Sequence, residues 1–135
     1  MDHVKEQEIV ESFFVNRVKA RVNFELSSSK KRYSALSRLC GYPFSIKEKY
    51  LIKVSESNFH GIVLLKLLKK YGAGDQCYVI SFNDEIDGRY LKLEEAIEKA
   101  VGSGFPSLIS CIPDKLAYVE GEQSYGPPGR YIIYK

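Results

Sequence analysis

The sequence predicts an α+β fold, in which an N-terminal helical hairpin and further helices pack on a small, mainly antiparallel sheet in a single domain of residues 1–135. Apolar residues recur at helical spacing in the first third, and short β-rich runs separated by turn residues occupy the last third. The 135 residues, 44% of them apolar, suffice for one core. Because helices come mostly first and strands mostly last, we expect helices to cover one face of the sheet.

Two amphipathic helices are expected at the start of the chain. Residues 4–26 carry apolar side chains every three or four positions, with Asp2 as a plausible N-cap. The serines at 27–29 interrupt this pattern and can cap a second helix, which Gly41 and Pro43 end. The result is either a hairpin or one long bent helix. The apolar positions are Ile9, Val10, Phe13, Phe14, Val18 and Val22 in the first segment, and Tyr33, Leu36 and Cys40 in the second.

The middle of the chain predicts a third helix. Residues 50–54 fit a short strand or an extended connector, and Ser57 or Asn58 can then cap a helix with apolar residues at 62–68 that ends in Lys69-Lys70. The segment Gly72-Ala73-Gly74 stops it. Because this helix is apolar round most of its circumference, we expect it to be the central one.

The second half predicts four further strands, one short returning strand and one helix. Acidic residues in the first turn of that helix suit its macrodipole. The last three strands read as an antiparallel meander. The predicted ranges are strand 76–82, turn 83–88, short strand 89–91, helix 93–101, and strands 108–112, 116–119 and 130–134.

The C-terminal half also carries a recognisable motif. The runs Cys-Ile-Pro at 111–113 and Leu-Ala-Tyr-Val-Glu-Gly-Glu at 116–122, preceded by the segments 77–81 and 85–88, resemble a family of small uncharacterised bacterial proteins. In that family a glycine is expected after the proline, where this chain has Asp114. The resemblance implies a bacterial cytoplasmic protein and supplies no activity.

Cysteine and glycine spacing argues against several cofactor classes. Cys40, Cys77 and Cys111 are widely spaced and form no Cys-x-x-Cys, so we expect reduced thiols and neither a disulfide framework nor a zinc site. The glycine runs at 72–74 and 102–104 follow helices, whereas P-loop and Rossmann glycines open them. We therefore expect no cofactor and no metal.

Hydropathy favours a soluble protein that stays in the cytoplasm. No segment approaches the roughly 18 uninterrupted apolar residues that a membrane span needs. The start of the chain lacks the apolar region of a secretory signal. We expect no membrane association.

Positive charge concentrates in the N-terminal part. Residues 1–53 carry 11 Lys and Arg against 6 Asp and Glu, while residues 54–135 carry 9 against 11. The densest point is a basic patch, either a solvated helix surface or a site for nucleic acid. Its members are Lys30, Lys31, Arg32 and Arg38.

Acidic and tyrosine residues supply a second candidate site. Asp84, Glu85 and Asp87 share one turn, and Glu120 and Glu122 lie on the same face of an extended segment. Such acids could bind a metal or act as an acid/base pair, or be ordinary solvated turn residues. Tyrosines beside the 126–129 loop could form a protein-binding face, or simply pack the sheet. The candidate partner-binding residues are Glu85, Asp87, Tyr118, Glu120, Glu122 and Tyr125.

The favoured interpretation is a non-enzymatic bacterial cytoplasmic binding protein, of immunity or regulatory type, that occludes a protein partner. One alternative is a small hydrolase or transferase that uses Cys111, with His60 as a potential base, or Glu120 and Glu122. Against it, Cys111 lies in an apolar run, as a buried structural cysteine does. A second alternative is a nucleic-acid-binding module that uses the basic N-terminal helices.

Overall fold

The computed structural model describes residues 1–41, 45–54, 61–101, 105–121 and 129–135. Within them the chain forms five α-helices and six β-strands. The helices are α1 His3–Phe13, α2 Lys19–Ser27, α3 Arg32–Gly41, α4 Gly61–Lys70 and α5 Leu93–Ala100. The strands are β1 Leu51–Lys53, β2 Gln76–Ser81, β3 Arg89–Lys92, β4 Ser107–Ile112, β5 Leu116–Glu120 and β6 Arg130–Tyr134.

The strands form one antiparallel sheet in the order β1-β6-β5-β4-β2-β3. Strands β4, β5 and β6 are consecutive neighbours, which confirms the predicted meander. The short run at Leu51–Lys53 pairs with β6, so it is a strand and not a connector. The α+β fold with helices packed on an antiparallel sheet is confirmed.

Helices cover both faces of this sheet, so the expectation of one covered face is wrong. Tyr78 and Ile80 of β2 pack with α1, α2 and α3, whereas Cys77 and Val79 pack with α4 and α5. Successive side chains of a strand point to opposite faces, so a strand buried at nearly every position needs cover on both. β5 shows the same burial at all five of its residues.

The predicted helix over residues 4–26 is broken at Phe14. Phe14 pairs with Ile46 in an isolated antiparallel bridge, the Val15 N–H donates to the Ser45 carbonyl at 2.9 Å, and the Lys47 N–H donates to the Phe13 carbonyl at 2.8 Å. Pairing with a distant segment therefore replaces the helical hydrogen bonds that the periodicity predicts. The predicted N-cap is confirmed, because Asp2 Oδ1 accepts from the Lys5 N–H at 3.0 Å.

Helix α4 lies in an outer layer, so its predicted central position is wrong. It buries Leu64 and Leu68 fully, while Ile62 and Val63 are 63% and 46% exposed. A helix packed on a sheet has only one side against it, and the apolar residues of the other side stay at the surface. The predicted caps Ser57 and Asn58 lie outside the described residues.

The turn after β4 contains the residue that departs from the resembled family. Asp114 has a φ of 56°, in the left-handed region that glycine adopts most easily. Aspartate is among the few other residues that tolerate this region. The turn between β4 and β5 is therefore made with an aspartate in a glycine-type conformation.

Candidate functional site

The structure joins two candidate sites that lie far apart in the sequence. The turn between α2 and α3, which carries Lys30 and Lys31, lies beside the acidic turn at 83–88. Arg32 links them, because its Nε donates to Asp87 Oδ2 at 2.7 Å and its Nη2 donates to Asp87 Oδ1 at 3.0 Å. The basic patch and the acidic turn are thus neighbours across 55 residues of sequence.

Arg32 is a buried ion-pair residue and not a surface cation. Its Nη1 and Nη2 also donate to the two Glu6 carboxylate oxygens at 2.8 and 2.6 Å, and Nη1 donates to the Leu26 carbonyl at 3.0 Å. These five bonds use all five guanidinium N–H groups. Placing Arg32 in an exposed basic patch was therefore wrong; Lys30 and Lys31 are exposed as expected. The side chain of Arg38 lies outside the described part of the chain.

A buried tyrosine completes this group. The Tyr78 hydroxyl donates to Glu6 Oε2 at 2.7 Å. We call Glu6, Arg32, Tyr78 and Asp87 the Arg32 cluster. It joins α1, α3, β2 and the 83–88 turn, and the Ser81 N–H of β2 donates to Asp87 Oδ1 at 3.0 Å.

Burial and ion pairing shift the pKa of Arg32 in opposite directions. Burial disfavours the charged form of Arg32, but hydrogen bonds to Glu6 and Asp87 outweigh it and raise the Arg32 pKa. Burial, followed by the hydrogen bond to Glu6, raises the pKa of the Tyr78 phenol. The guanidinium thus stays charged and the phenol stays neutral at physiological pH.

A concave surface of about 280 Å³, which we call the Tyr33 groove, lies over the Arg32 cluster. Leu26 and Leu36 are buried, while Tyr33 is 52% exposed. A second hollow shares His3, Leu26 and Ser27 with it and adds Phe24, which is 59% exposed. The groove is lined by Met1, His3, Leu26, Ser27, Ser29, Arg32, Tyr33, Leu36, Asp84 and Asp87.

The exposed aromatic side chains of this region are held by specific contacts. Tyr33 stacks on Phe82 with ring centroids 5.2 Å apart, and its hydroxyl donates to Asp84 Oδ1 at 3.2 Å. The negative charge of Asp84 raises the Tyr33 pKa. Lys31 Nζ lies 5.4 Å from the Phe24 ring centroid. Tyr33 was expected to be buried, and this expectation is wrong because its ring packs along the groove wall.

The second group of candidate residues lies inside the protein. Tyr118 is fully buried and Glu120 is 1% exposed, so the expectation that they form an outer partner-binding face is wrong. Their strand β5 is internal to a sheet with helices on both faces. Glu120 Oε1 accepts from Arg130 Nε at 2.8 Å and from the Tyr118 hydroxyl at 2.9 Å. Glu122 and Tyr125 lie outside the described residues.

Of the other predicted acids, Glu85 is exposed on the 83–88 turn. Asp87 lines the Tyr33 groove, although its side chain is only 8% exposed and is bound to Arg32. Glu85 and Asp87 thus belong to a turn that Arg32 ties to the start of α3, directly after Lys30 and Lys31. The structure places Tyr118 and Glu120 elsewhere, in the layer between the sheet and helices α4 and α5.

Cys111, the candidate nucleophile, lies in an environment that disfavours the thiolate form of its side chain. Cys111 is buried and reduced, and burial raises its pKa to about 12. Burial has the same effect on Cys77. A reactive cysteine needs a lowered pKa, whereas this surrounding raises it. His60 and the side chain of Cys40 lie outside the described residues.

Glu6 and His3 were not among the predicted site residues. Glu6 shares one helix face with Ile9, Val10 and Phe13, since they follow it at spacings of three, four and seven. A carboxylate in the middle of an apolar stripe is expected to need a buried partner. That position was a usable signal for Glu6, although it does not identify Arg32 as the partner.

Among the described residues, no three His, Cys, Asp or Glu side chains are grouped so that they could hold a metal ion. None of the described helices has both the length and the apolar character that crossing a membrane requires. Comparison of the chain with protein-family models, with curated proteins and with solved structures finds no match in any of the three.

Proposed function

We propose that this chain is a non-enzymatic binding protein of the bacterial cytoplasm, of immunity or regulatory type, and that it docks a protein partner at the Tyr33 groove. One observation carries the proposal: Tyr33 is exposed on a concave surface that α3 and the acidic turn line together, and the exposed Phe24 lies in the adjoining hollow. An exposed tyrosine that lines a concave surface among charged residues is typical of protein-binding sites.

The rigidity of the groove supports the same proposal. Arg32 ties the start of α3 to α1 and to the 83–88 turn through four bonds to carboxylates, and these elements form the walls of the groove. A surface that is already ordered loses little conformational entropy when a partner binds. The buried Leu26 and Leu36 add an apolar floor.

The environments of the other candidates favour binding over the two alternatives. Cys111 has a raised pKa, and Glu120 is engaged by Arg130 and Tyr118, so neither is poised as a nucleophile or base. The ion pairs of Arg32 remove it from the basic patch, and a phosphate backbone would have to be bound without it.

Site-specific photocrosslinking in the native host tests the proposal. A photoreactive phenylalanine analogue at Tyr33 is expected to give one protein crosslink of defined mass. The same analogue at Glu98, an exposed residue of α5 on the other side of the sheet, is the control and is expected to give none. Equal crosslinking at the two positions, or none at Tyr33, would contradict the proposal.

A purified pair then gives the quantitative test. With the crosslinked partner in hand, Tyr33→Ala is expected to weaken binding at least tenfold by isothermal titration calorimetry, as truncation of a tyrosine hot spot does. Glu98→Ala is expected to leave the affinity unchanged.

A further inference from the structure

We infer that the Tyr33 groove receives an arginine side chain of the partner, an assignment that rests on the proposed function and specifies its chemistry. The groove offers carboxylates, one aromatic ring and an apolar floor in one place. These are the groups that a guanidinium on a three-carbon stem can satisfy together.

The charge at the groove is negative. Asp84 and Asp87 are the carboxylates of the lining, and Asp87 shares the single guanidinium of Arg32 with Glu6, which is buried and lies outside the lining. With the amino group of Met1, which also lines the groove, three carboxylates stand against two cationic groups. His3 Nδ1, 3.4 Å from Glu6 Oε1, offsets part of this charge only when the imidazole is protonated. An incoming cation is therefore attracted to the groove, and an incoming carboxylate is repelled.

Arg32 cannot serve as a receptor for an anionic group. Its five N–H groups are already used by Glu6, Asp87 and the Leu26 carbonyl, so an incoming anion would have to displace a buried bond. Breaking a buried ionic bond is expensive. Lys30 and Lys31 are not part of the groove lining. The complementary ligand is thus a cation.

Asp84 and Tyr33 favour a guanidinium among cations. Asp84 is exposed and binds the Tyr33 hydroxyl through Oδ1. A guanidinium can pair with this carboxylate in its own plane while it lies over the adjacent tyrosine ring. The buried Leu26 and Leu36 provide contact area for the aliphatic stem.

An NMR titration with a small probe tests the inference without the partner. The probe is N-acetyl-arginine-N-methylamide, and the control is the neutral, isosteric citrulline compound. We expect saturable amide shifts confined to residues around 26–36 and 83–88, with a Kd of about 1–10 mM, as befits a ligand of this size. The citrulline compound is expected to bind at least fivefold more weakly.

Matched variants locate the interaction. Asp84→Asn is expected to weaken binding of the arginine probe at least fivefold, whereas Glu98→Gln, which removes an exposed carboxylate of α5 outside the lining, is expected to change it less than twofold. The unperturbed remainder of each spectrum checks that both variants are folded. Equal binding of the two compounds, shifts centred elsewhere, or an unchanged Asp84→Asn would overturn the inference.

The two proposals fail in different ways. If Tyr33 crosslinks to a partner but the arginine probe does not bind the groove, the arginine assignment is wrong and the docking function stands. If the probe binds as expected but no partner is crosslinked, the docking function loses its support while the groove remains a guanidinium site.

Discussion

Two arginine groups in the part of the chain that the structure describes resemble each other in chemistry but join residues at different separations along the sequence. The Arg32 cluster joins residues 26 and 55 positions apart in the chain. The second group, which we call the Arg130 pair, joins Arg130 to Glu120 ten residues away, directly opposite it in the β5–β6 register. A tyrosine hydroxyl donates to the glutamate in both groups.

The difference shows what each group adds to the structure. The Arg130 pair connects two strands that already share a ladder of backbone hydrogen bonds. The Arg32 cluster connects a helix, another helix and a turn, which have no such ladder between them. It therefore decides how the α1–α3 layer sits against the 83–88 turn, and so the shape of the Tyr33 groove.

The largest effect is expected from Arg32→Ala. It leaves the Glu6 and Asp87 carboxylates buried without their cation, so the free energy of unfolding should fall by about 3–5 kcal/mol. Urea unfolding followed by circular dichroism measures this. Lys31→Ala, at the exposed neighbour, is the control and should stay within about 0.5 kcal/mol of the parent. A loss below about 1 kcal/mol for Arg32→Ala would contradict the importance of the cluster.

The next largest effect is expected from Arg130→Ala. The substitution takes the cation from Glu120, which keeps the hydrogen bond from Tyr118. The free energy of unfolding should fall by about 2 kcal/mol in the same urea experiment. A double variant with Glu120→Gln should recover part of the loss, because it removes the stranded charge. If Arg130→Ala cost as much as Arg32→Ala, the distinction between the two groups would be wrong.

A smaller, pH-dependent effect on the free energy of unfolding is expected from the buried Tyr78 and Tyr118. Burial raises the phenol pKa of Tyr78 and of Tyr118 above the usual value near 10. Because the unfolded chain loses these protons first, the stability that they contribute is intact below about pH 10 and is lost as the pH rises further. Tyr78→Phe and Tyr118→Phe should each flatten the decline of unfolding free energy between pH 10 and 11 by up to about 1.4 kcal/mol per pH unit.

Urea unfolding at pH 9, 10 and 11 measures this slope. Tyr33→Phe serves as the matched control, since Tyr33 is exposed and its change should alter the slope less. Identical slopes for the parent and for both buried-tyrosine variants would show that neither phenol is protected by the fold.

The last prediction concerns the reactivity of Cys111 and needs no substitution. With a pKa of about 12, Cys111 has roughly one thiolate in ten thousand at pH 8, and it is also buried. An aromatic disulfide reagent should therefore label Cys111 only as the chain unfolds in urea, and Cys77 should behave alike. Mass spectrometry of timed samples identifies the labelled thiol. Rapid labelling of Cys111 in the folded protein would favour the hydrolase or transferase alternative.

Local patterns predicted most of the second half correctly. Alternating or continuous apolar runs predicted β2, β4, β5 and β6, and the acidic first turn with apolar spacing predicted α5. Each of these signals comes from residues within one element, so the element can be predicted without knowledge of its distant contacts. The same logic failed at Phe14, where a bridge to Ile46 breaks a helix that spacing alone would continue.

The sequence predicted some residues of the candidate site, but not which of them are buried or which of them meet. Lys30-Lys31-Arg32 is one basic run in the sequence, yet two of its members are exposed and the third is buried. Glu85 and Asp87 were recognised as a turn, but nothing local relates that turn to Arg32. Tyr118 and Glu120 were placed at the surface because the spacing could not show that helices cover both faces of the sheet.

The order of the residues along the chain was thus sufficient for the fold class, most of the elements and the segregation of charge, since these follow from short-range periodicity and composition. Folding alone decided that Arg32 meets Glu6 and Asp87, and that the basic and acidic turns surround one groove. The reason is that a buried charge selects its partner by where packing places it, and packing depends on every layer of the protein at once.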